Sequence, residues 1–489
     1  VADAPDGEPD PTANQPPARR RVWRWLAVLG GLALVALLGY AGWLYVDNEQ
    51  TARSGAQELA AARARVAADD PDWTWERLSE TRPRPPAKQN GAALIPQIKK
   101  NTHADWGKAL QHSELVPQLD IPPNVRYGPE ILSLVLRDLS DSVAAVRLAV
   151  ALKDRPFGHR DIDLKPDVFS TLLPDTQNTR QAADLLRWEV VAASEDGDGR
   201  RTADALLALV NASRSIGDEP FLISQLVRIA VRAVAVRSAE RAVAQSADLP
   251  LAELQAALAA DADEPLLLYG LRGERAGFDQ LFENLQTGAV RLEDLTREIG
   301  KGKPDFWEFI KWRRYRSHLR GERADLLLWM TRHIDAARRP AHEQPALIAA
   351  IPQLPADEWH YLSRALTPAI EKVAQASWRG TAEARCAAAG LACERFRQKH
   401  NRWPDALADL APEFLPAVPL DPFGGGPLGY RKLDDGVVVF SAGKHAAGAY
   451  AHAGMPAGID YGFRLWNPDR RRLPSPPPDA PVPEGEPPP

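Results

Sequence analysis

The side chains best suited to chemistry in this sequence are two glutamates, three histidines and four arginines. Glu274 and Glu322 hold the same place in a repeated hexapeptide, Leu271-Arg272-Gly273-Glu274-Arg275-Ala276 and Leu319-Arg320-Gly321-Glu322-Arg323-Ala324. Carboxylates of this kind serve as general acids and bases in hydrolysis. His400, His445 and His452 carry imidazoles that bind transition metals, but loop histidines so spaced are usually solvated. Arg228, Arg232, Arg237 and Arg241 follow one another along a helical segment. Together they would make an anion site; as solvated charges they need no ligand, and that is the expectation.

Linear motifs add nothing firmer. Val439-Phe440-Ser441-Ala442-Gly443 has valine where the nucleophile elbow G-x-S-x-G needs glycine, and it reads as a strand running into a turn. Gly443-Lys444 lacks the earlier glycine and the following Ser or Thr of a phosphate loop, and His342-Glu343 lacks the second histidine of a zinc protease. No Gly-x-Gly-x-x-Gly fingerprint stands between a strand and a helix; Gly424-Gly425-Gly426-Pro427-Leu428-Gly429 has the spacing but lies in a turn-rich loop that leads into a strand. No catalytic residue, metal ligand or cofactor is therefore assigned from sequence.

The elements that must position these groups are mostly helical. With 489 residues, 45% of them hydrophobic and 26% charged, the chain can bury a sizeable core. Lys+Arg total 60 against Asp+Glu 65, a balance that excludes a chain-wide nucleic-acid surface. Two cysteines, Cys386 and Cys393, cannot make a disulfide framework. Abundant Ala and Arg suggest a GC-rich bacterial genome.

Residues 22–46 read VWRWLAVLGGLALVALLGYAGWLYV, with about twenty-two uncharged residues between Arg24 and Asp47. At 1.5 Å per residue they cross a hydrocarbon core of about 30 Å. Trp23, Trp25, Trp43 and Tyr45 mark the two headgroup zones. The run is longer than a signal-peptide core and has no small-residue cleavage site, so it reads as an uncleaved anchor in the bilayer. Arg19, Arg20, Arg21 and Arg24 precede it and Asp47 and Glu49 follow. The positive-inside rule then keeps the N-terminus in the cytoplasm and exports the bulk of the chain from the inner membrane. Ala27 and Gly31 have the spacing of a close helix pair, one common by chance in such anchors.

The remaining organisation follows from punctuation. Residues 1–21 are expected to be a disordered cytoplasmic tail and 471–489 a Pro-rich one. A juxtamembrane helix and the linker Arg82-Pro83-Arg84-Pro85-Pro86 fill 47–86. A helical domain is expected over 87–375 and an α+β module over 376–470. Within the helical domain Asp218 reads as an N-cap with Pro220 in the first turn. Leu222, Leu226, Ile229, Ala230 and Ala233 form the stripe behind them, and the helix should leave the core, or end, before Arg237. The two hexapeptides, about 48 residues apart, are compatible with helical repeats but equally with local ion pairing.

In the module, Ala382, Cys386, Ala389, Cys393, Phe396 and His400 make a narrow helical stripe. The cysteines therefore face the core, about 10 Å apart on one helix and beyond disulfide reach. Strands are expected at 427–432, 437–441 and 461–466, the first two joined around Asp434-Asp435-Gly436. Phe396 should pack on the sheet around Tyr430, Val438 and Phe440.

The order FRQKHNRWPDAL, PAVPLDPFGGGPLGY, VVVFSAG resembles the major pseudopilin of type II secretion systems, over about 90 residues. Arg402-Trp403-Pro404, Asp421-Pro422-Phe423, Tyr430 and Ser441-Ala442-Gly443 match its motifs. The resemblance implies a long helix on a small antiparallel sheet. The whole layout also resembles large membrane proteins of planctomycete-type bacteria that append such a module to a helical region. It departs from true pseudopilins in three ways. More than 300 residues separate span and module, no prepilin-peptidase site precedes Val22, and the family's calcium loop has Lys444 and His445 where acids are needed. The sequence thus points to a mostly α membrane-anchored scaffold that binds other envelope proteins. An envelope hydrolase using acids such as Glu274 or Glu322, or a divergent secretion component, are the alternatives.

Overall fold

The computed structural model describes residues 17–173, 175–291, 294–295, 306–367, 370–442 and 452–475. The tails at 1–16 and 476–489, together with Gly443, Lys444 and His445, lie outside the described residues. The protein is mostly α, with a three-stranded antiparallel sheet near the C-terminus.

Helix α1, Pro17–Asp69, is one uninterrupted rod. Its apolar part is long enough to cross a membrane and none of that window is buried against protein, so Leu29, Val35 and Leu38 stand fully open. Beyond Asp47 the same helix turns into a packing element. Leu59, Ala62 and Val66 are buried with Trp73, Ala324 and Leu327. A rod shared between the apolar run and the body fixes the two relative to each other. The Pro-rich linker is likewise tied down, because Arg82 enters the body to meet Asp218 at 2.8 Å and the Arg160 carbonyl at 2.9 Å.

The body is a stack of long helices: α2 (Asp175–Glu195), α3 (Gly199–Arg214), α4 (Leu222–Gln245), α5 (Leu251–Ala262), α6 (Leu266–Thr287), α7 (Phe306–Ala337), the short α8 (Tyr361–Leu366) and α9 (Ile370–His400). Helix α4 lies at its centre and corrects three sequence expectations. It begins at Leu222, not behind an Asp218 cap; Asp218 is spent on Arg82, and the Glu274 carboxylate accepts the Leu222 amide at 3.0 Å instead. It stays in the core through Gln245, past Arg237. Its arginines Arg228 and Arg232 are not solvated: each is 1% exposed. Arg232 Nε donates to Asp261 Oδ2 at 2.6 Å and Arg228 Nη2 to Oδ1 at 3.4 Å, while Arg228 Nη1 donates to the Gly217 carbonyl. Burial pushes the Asp261 carboxyl up, but the two guanidiniums outweigh it and hold the group below the usual carboxylate range. A helix covered on nearly every side has no single apolar stripe, so periodicity misjudged which side faced water.

In the C-terminal module the strands β1 (Gly429–Leu433), β2 (Gly436–Phe440) and β3 (Gly462–Trp466) pair in that order, with Val437 opposite Leu465 and Tyr430 opposite Val439. The face against α9 carries Val437, Val439, Phe463 and Leu465, one residue out of step with the expected Val438 and Phe440. Alternation by two sends a one-residue error to the opposite face. Phe396 lies in the same buried cluster as these strand residues and also packs on Phe414, with ring centroids 5.7 Å apart. Phe463 sits on Gly390, where a β-carbon would come within 2.4 Å of the ring. Cys386 and Cys393 are fully buried free thiols, and burial pushes both far above the ordinary thiol range. One continuous hydrophobic cluster takes in these strands, α9, and helices α2 to α5.

Candidate functional site: an arginine-lined cavity

The two glutamates of the repeated hexapeptide do not converge. Both cap the start of a neighbouring helix. Glu274 on α6 accepts the Leu222 amide of α4; Glu322 on α7 accepts the Ser363 amide and hydroxyl of α8, both at 2.8 Å, and the Tyr315 hydroxyl. Burial pushes Glu274 up to about 7 and raises Glu322, levels useful to a general acid. Their oxygens are nevertheless engaged in holding helices. The arginines that follow are equally structural: Arg275 binds Asp70 at 2.6 Å and Arg323 binds Asp279 at 2.7 Å. The hexapeptide thus recurs with the same duties, a carboxylate cap and a buried guanidinium tie.

The histidines are dispersed as well. His400 lies tilted against Phe396 and edge-on to Phe414, and His452 meets Glu240 at 2.8 Å. Among the described residues no group of three His, Cys, Asp or Glu side chains could hold a metal.

His360 marks a different kind of site, where segment 357–360 closes on α7 beside α1. Its Nδ1 meets Asp357 at 2.8 Å and its Nε2 meets Asp325 at 2.9 Å, at the edge of a cavity of about 310 Å³. Burial pulls this imidazole down, but the two carboxylates more than offset it and its pKa is raised. The stabilisation is therefore full below pH ~6.5 and disappears as pH rises through the higher folded value. Both carboxylates are about half exposed, so the effect should stay under about 1 kcal/mol. His318 and His333 shift downward and His452 upward, so the quantity to measure is the stability of the protein minus that of His360→Asn, from pH 5 to 9. That difference should fall with rising pH; a flat or rising difference rejects the ion pairs.

The surface feature with chemistry left over is a cavity of about 450 Å³ between α2, α4 and the segment 119–127, closed on one side by His452 and Ala453. Val190, Val191, Val231 and Val234 give it an apolar wall, and the Tyr127 and Trp188 rings meet beside it, tilted at 55° with centroids 5.7 Å apart. Four guanidiniums, Arg180, Arg187, Arg237 and Arg241, line it against three carboxylates, Asp120, Asp184 and Glu240. Two of the acids are already committed. Asp184 holds Arg187 at 2.7 Å and the Trp106 indole at 3.0 Å. Glu240 holds His452 and accepts the Arg464 amide at 2.6 Å. Arg241 is buried, its carbon 4.1 Å from the Tyr127 ring centre and its Nη1 on the Val125 carbonyl. Burial lowers its pKa, yet a guanidinium stays charged. Arg180 and Arg237, both exposed, make no ion pair among the described residues.

The contrast with the cavity of about 480 Å³ under the Pro-rich linker is informative. There Arg82, Arg214, Arg228 and Arg272 are neutralised by Asp218, Glu264, Asp261 and Asp70. Of these two cavities, the first keeps a surplus of positive charge beside apolar surface among the described residues, the pairing that suits an anionic group on an apolar body. Sequence reading singled out Arg237 and Arg241 but missed Arg180 and Arg187, which sit on a different helix. No protein-family model, curated protein or solved structure matches this chain.

Proposed function

We propose that this chain is a membrane-tethered binding scaffold of a bacterial envelope. Residues 22–46 anchor it in the inner membrane, the arginines at 19–24 keep the N-terminus cytoplasmic, and the body faces outward to meet other envelope proteins. The observation that carries the binding role is the arginine-lined cavity, to which the helical body and the C-terminal module both contribute. It would take a carboxylate or phosphate group presented by a partner on an apolar segment. The bond between Asp421 and Ser441, 2.9 Å, joins the D-P-F turn to the S-x-G strand end and supports reading the module as pseudopilin-like.

Crosslinking in native membranes tests the proposal. The full-length tagged protein, with a photo-reactive amino acid replacing Asp120 on the exposed cavity rim, is expected to give a discrete adduct. Each charge-assisted hydrogen bond contributes about 1.5–3 kcal/mol, so Arg180→Gln with Arg237→Gln should cut that adduct at least tenfold. No adduct, or one undiminished by the double substitution, rejects the cavity as the binding site. In the same cells, protease added to spheroplasts should remove a C-terminal tag; its protection rejects the orientation.

A further inference from the structure

Past β3 the chain returns to the arginine-lined cavity. Residues 471–475 run alongside 124–128: the Leu473 amide donates to the Asn124 carbonyl at 2.8 Å, and the Arg126 amide to the Leu473 carbonyl at 2.9 Å. Arg472 ties this strip to the ends of two helices, through the Ser194 carbonyl of α2 at 2.8 Å and the Gln245 carbonyl of α4. Ser475 Oγ lies 3.3 Å from where a β-carbon on Gly128 would stand, so the chain leaves the body one residue from Tyr127. Tyr127 lines the cavity, and the Arg241 guanidinium rests on its ring. The exit is therefore at the Arg241 end. Because α2 and α4 end together on Arg472, they run in the same direction, and Arg180 stands at the far end of the cavity.

Residues 476–489 follow, with the sequence PPPDAPVPEGEPPP. They carry Asp479, Glu484 and Glu486 and no basic side chain. The cavity has the opposite need, since Arg180 and Arg237 make no ion pair among the described residues. Proline favours an extended chain that rises about 3.1 Å per residue. At that rise Asp479 comes about 12 Å beyond Ser475 and Glu484 about 28 Å beyond it. The α4 wall, from Arg241 back to Ala230, is about 16 Å long at 1.5 Å per residue. Asp479 and Glu484 are also about 16 Å apart when extended, and Ala480, Pro481, Val482 and Pro483 between them are apolar. Two acids flanking an apolar stretch thus match arginines at both ends of a cavity walled by valines.

We propose that residues 479–486 dock in this cavity in cis, with Asp479 on Arg237 and Glu484 and Glu486 on Arg180, so that a partner must displace them. The proposal rests on the reading of the cavity as a site for an anionic group on an apolar segment. A short tether sets an effective concentration of about millimolar, so an intrinsic affinity of about 0.1 mM keeps the cavity filled about nine parts in ten. A partner's apparent affinity is then weakened about tenfold.

The test starts with purified full-length protein in phospholipid nanodiscs, one copy per disc, with a photo-reactive amino acid replacing Val482. Irradiation is expected to join position 482 to residues within 180–191 or 230–241, read by peptide mass spectrometry. Arg180→Gln with Arg237→Gln should cut that product at least tenfold. So should Asp479→Asn with Glu484→Gln and Glu486→Gln, which leave the body untouched. Proximity through the tether alone would survive both sets of substitutions, so an undiminished product overturns the docking, as does capture elsewhere on the body. In native membranes, ending the chain after Ser475 should raise the partner adduct formed from position 120 at least threefold; an unchanged adduct overturns the competition. If position 482 still joins the cavity while position 120 captures nothing in either chain, the docking stands and the partner reading alone falls.

Discussion

Asp261→Ala should destabilise the protein by about 3–5 kcal/mol, the usual cost of removing one partner from a buried ion pair. Arg228 and Arg232 are each 1% exposed and both lean on that carboxylate, which is itself 1% exposed. Without it, Arg228 keeps the Gly217 carbonyl and a more distant Glu264 carboxylate at 3.6 Å, and Arg232 keeps the backbone carbonyl of residue 261, which leaves both guanidiniums under-compensated in the core. The deficit should come from unpaired charge rather than lost volume, and a further variant separates the two. Combining Asp261→Leu with Arg228→Met and Arg232→Met removes these three charges together, and apolar replacement of a whole buried cluster is often neutral. Urea unfolding of the full chain in detergent, followed by tryptophan fluorescence, should show most of the loss restored. A cost under about 1 kcal/mol for Asp261→Ala would mean that the arginines reach water.

The second large effect separates two identical sequences. Gly273→Ala and Gly321→Ala alter the same position of the same hexapeptide, and helix propensity alone favours both by about 1 kcal/mol. At Gly273 a β-carbon would lie 1.8 Å from the Pro220 carbonyl oxygen and 2.4 Å from its carbon. Backbone, not a pliable side chain, stands in the way, so α6 must move off the entry to α4 and the Glu274 cap loosens with it. The expected cost is about 3 kcal/mol, at the upper end for overpacking. At Gly321 the nearest atom is the Glu58 carboxylate oxygen at 3.4 Å, an ordinary contact, and alanine should be neutral or gain up to about 1 kcal/mol. Equal effects at both positions would show that the close approach to Pro220 is not real.

That pair shows where sequence reading stops. The repeat was visible in the letters, as was the equivalence of its members, but the neighbour of each glycine depends on which element folds against it. The capping acids carry the same lesson. Glu274 and Glu322 looked like free acids because a cap supplied from another helix, 52 or 41 residues away, leaves no local spacing to read. The hairpin was legible because turn chemistry at Asp434-Asp435-Gly436 is local. The face that β2 turns to α9 was misassigned because all of Val437, Val438 and Val439 are buried, which erases alternation.

The sequence by itself determined the apolar run at 22–46, the helical character of the body, the buried cysteines and the small antiparallel sheet. Each rests on properties of neighbouring residues: hydropathy over a window, a period of 3.6 or 2, a turn that needs glycine. Tertiary structure alone decided the roles of the arginines. Arg228 and Arg232 became core ion pairs because Asp261 on α5 faces them, whereas Arg237, on the same helix, opens onto a cavity with Arg180 of α2. A guanidinium is equally compatible with water, a buried carboxylate or a ligand, and the choice depends on partners that lie far away along the chain.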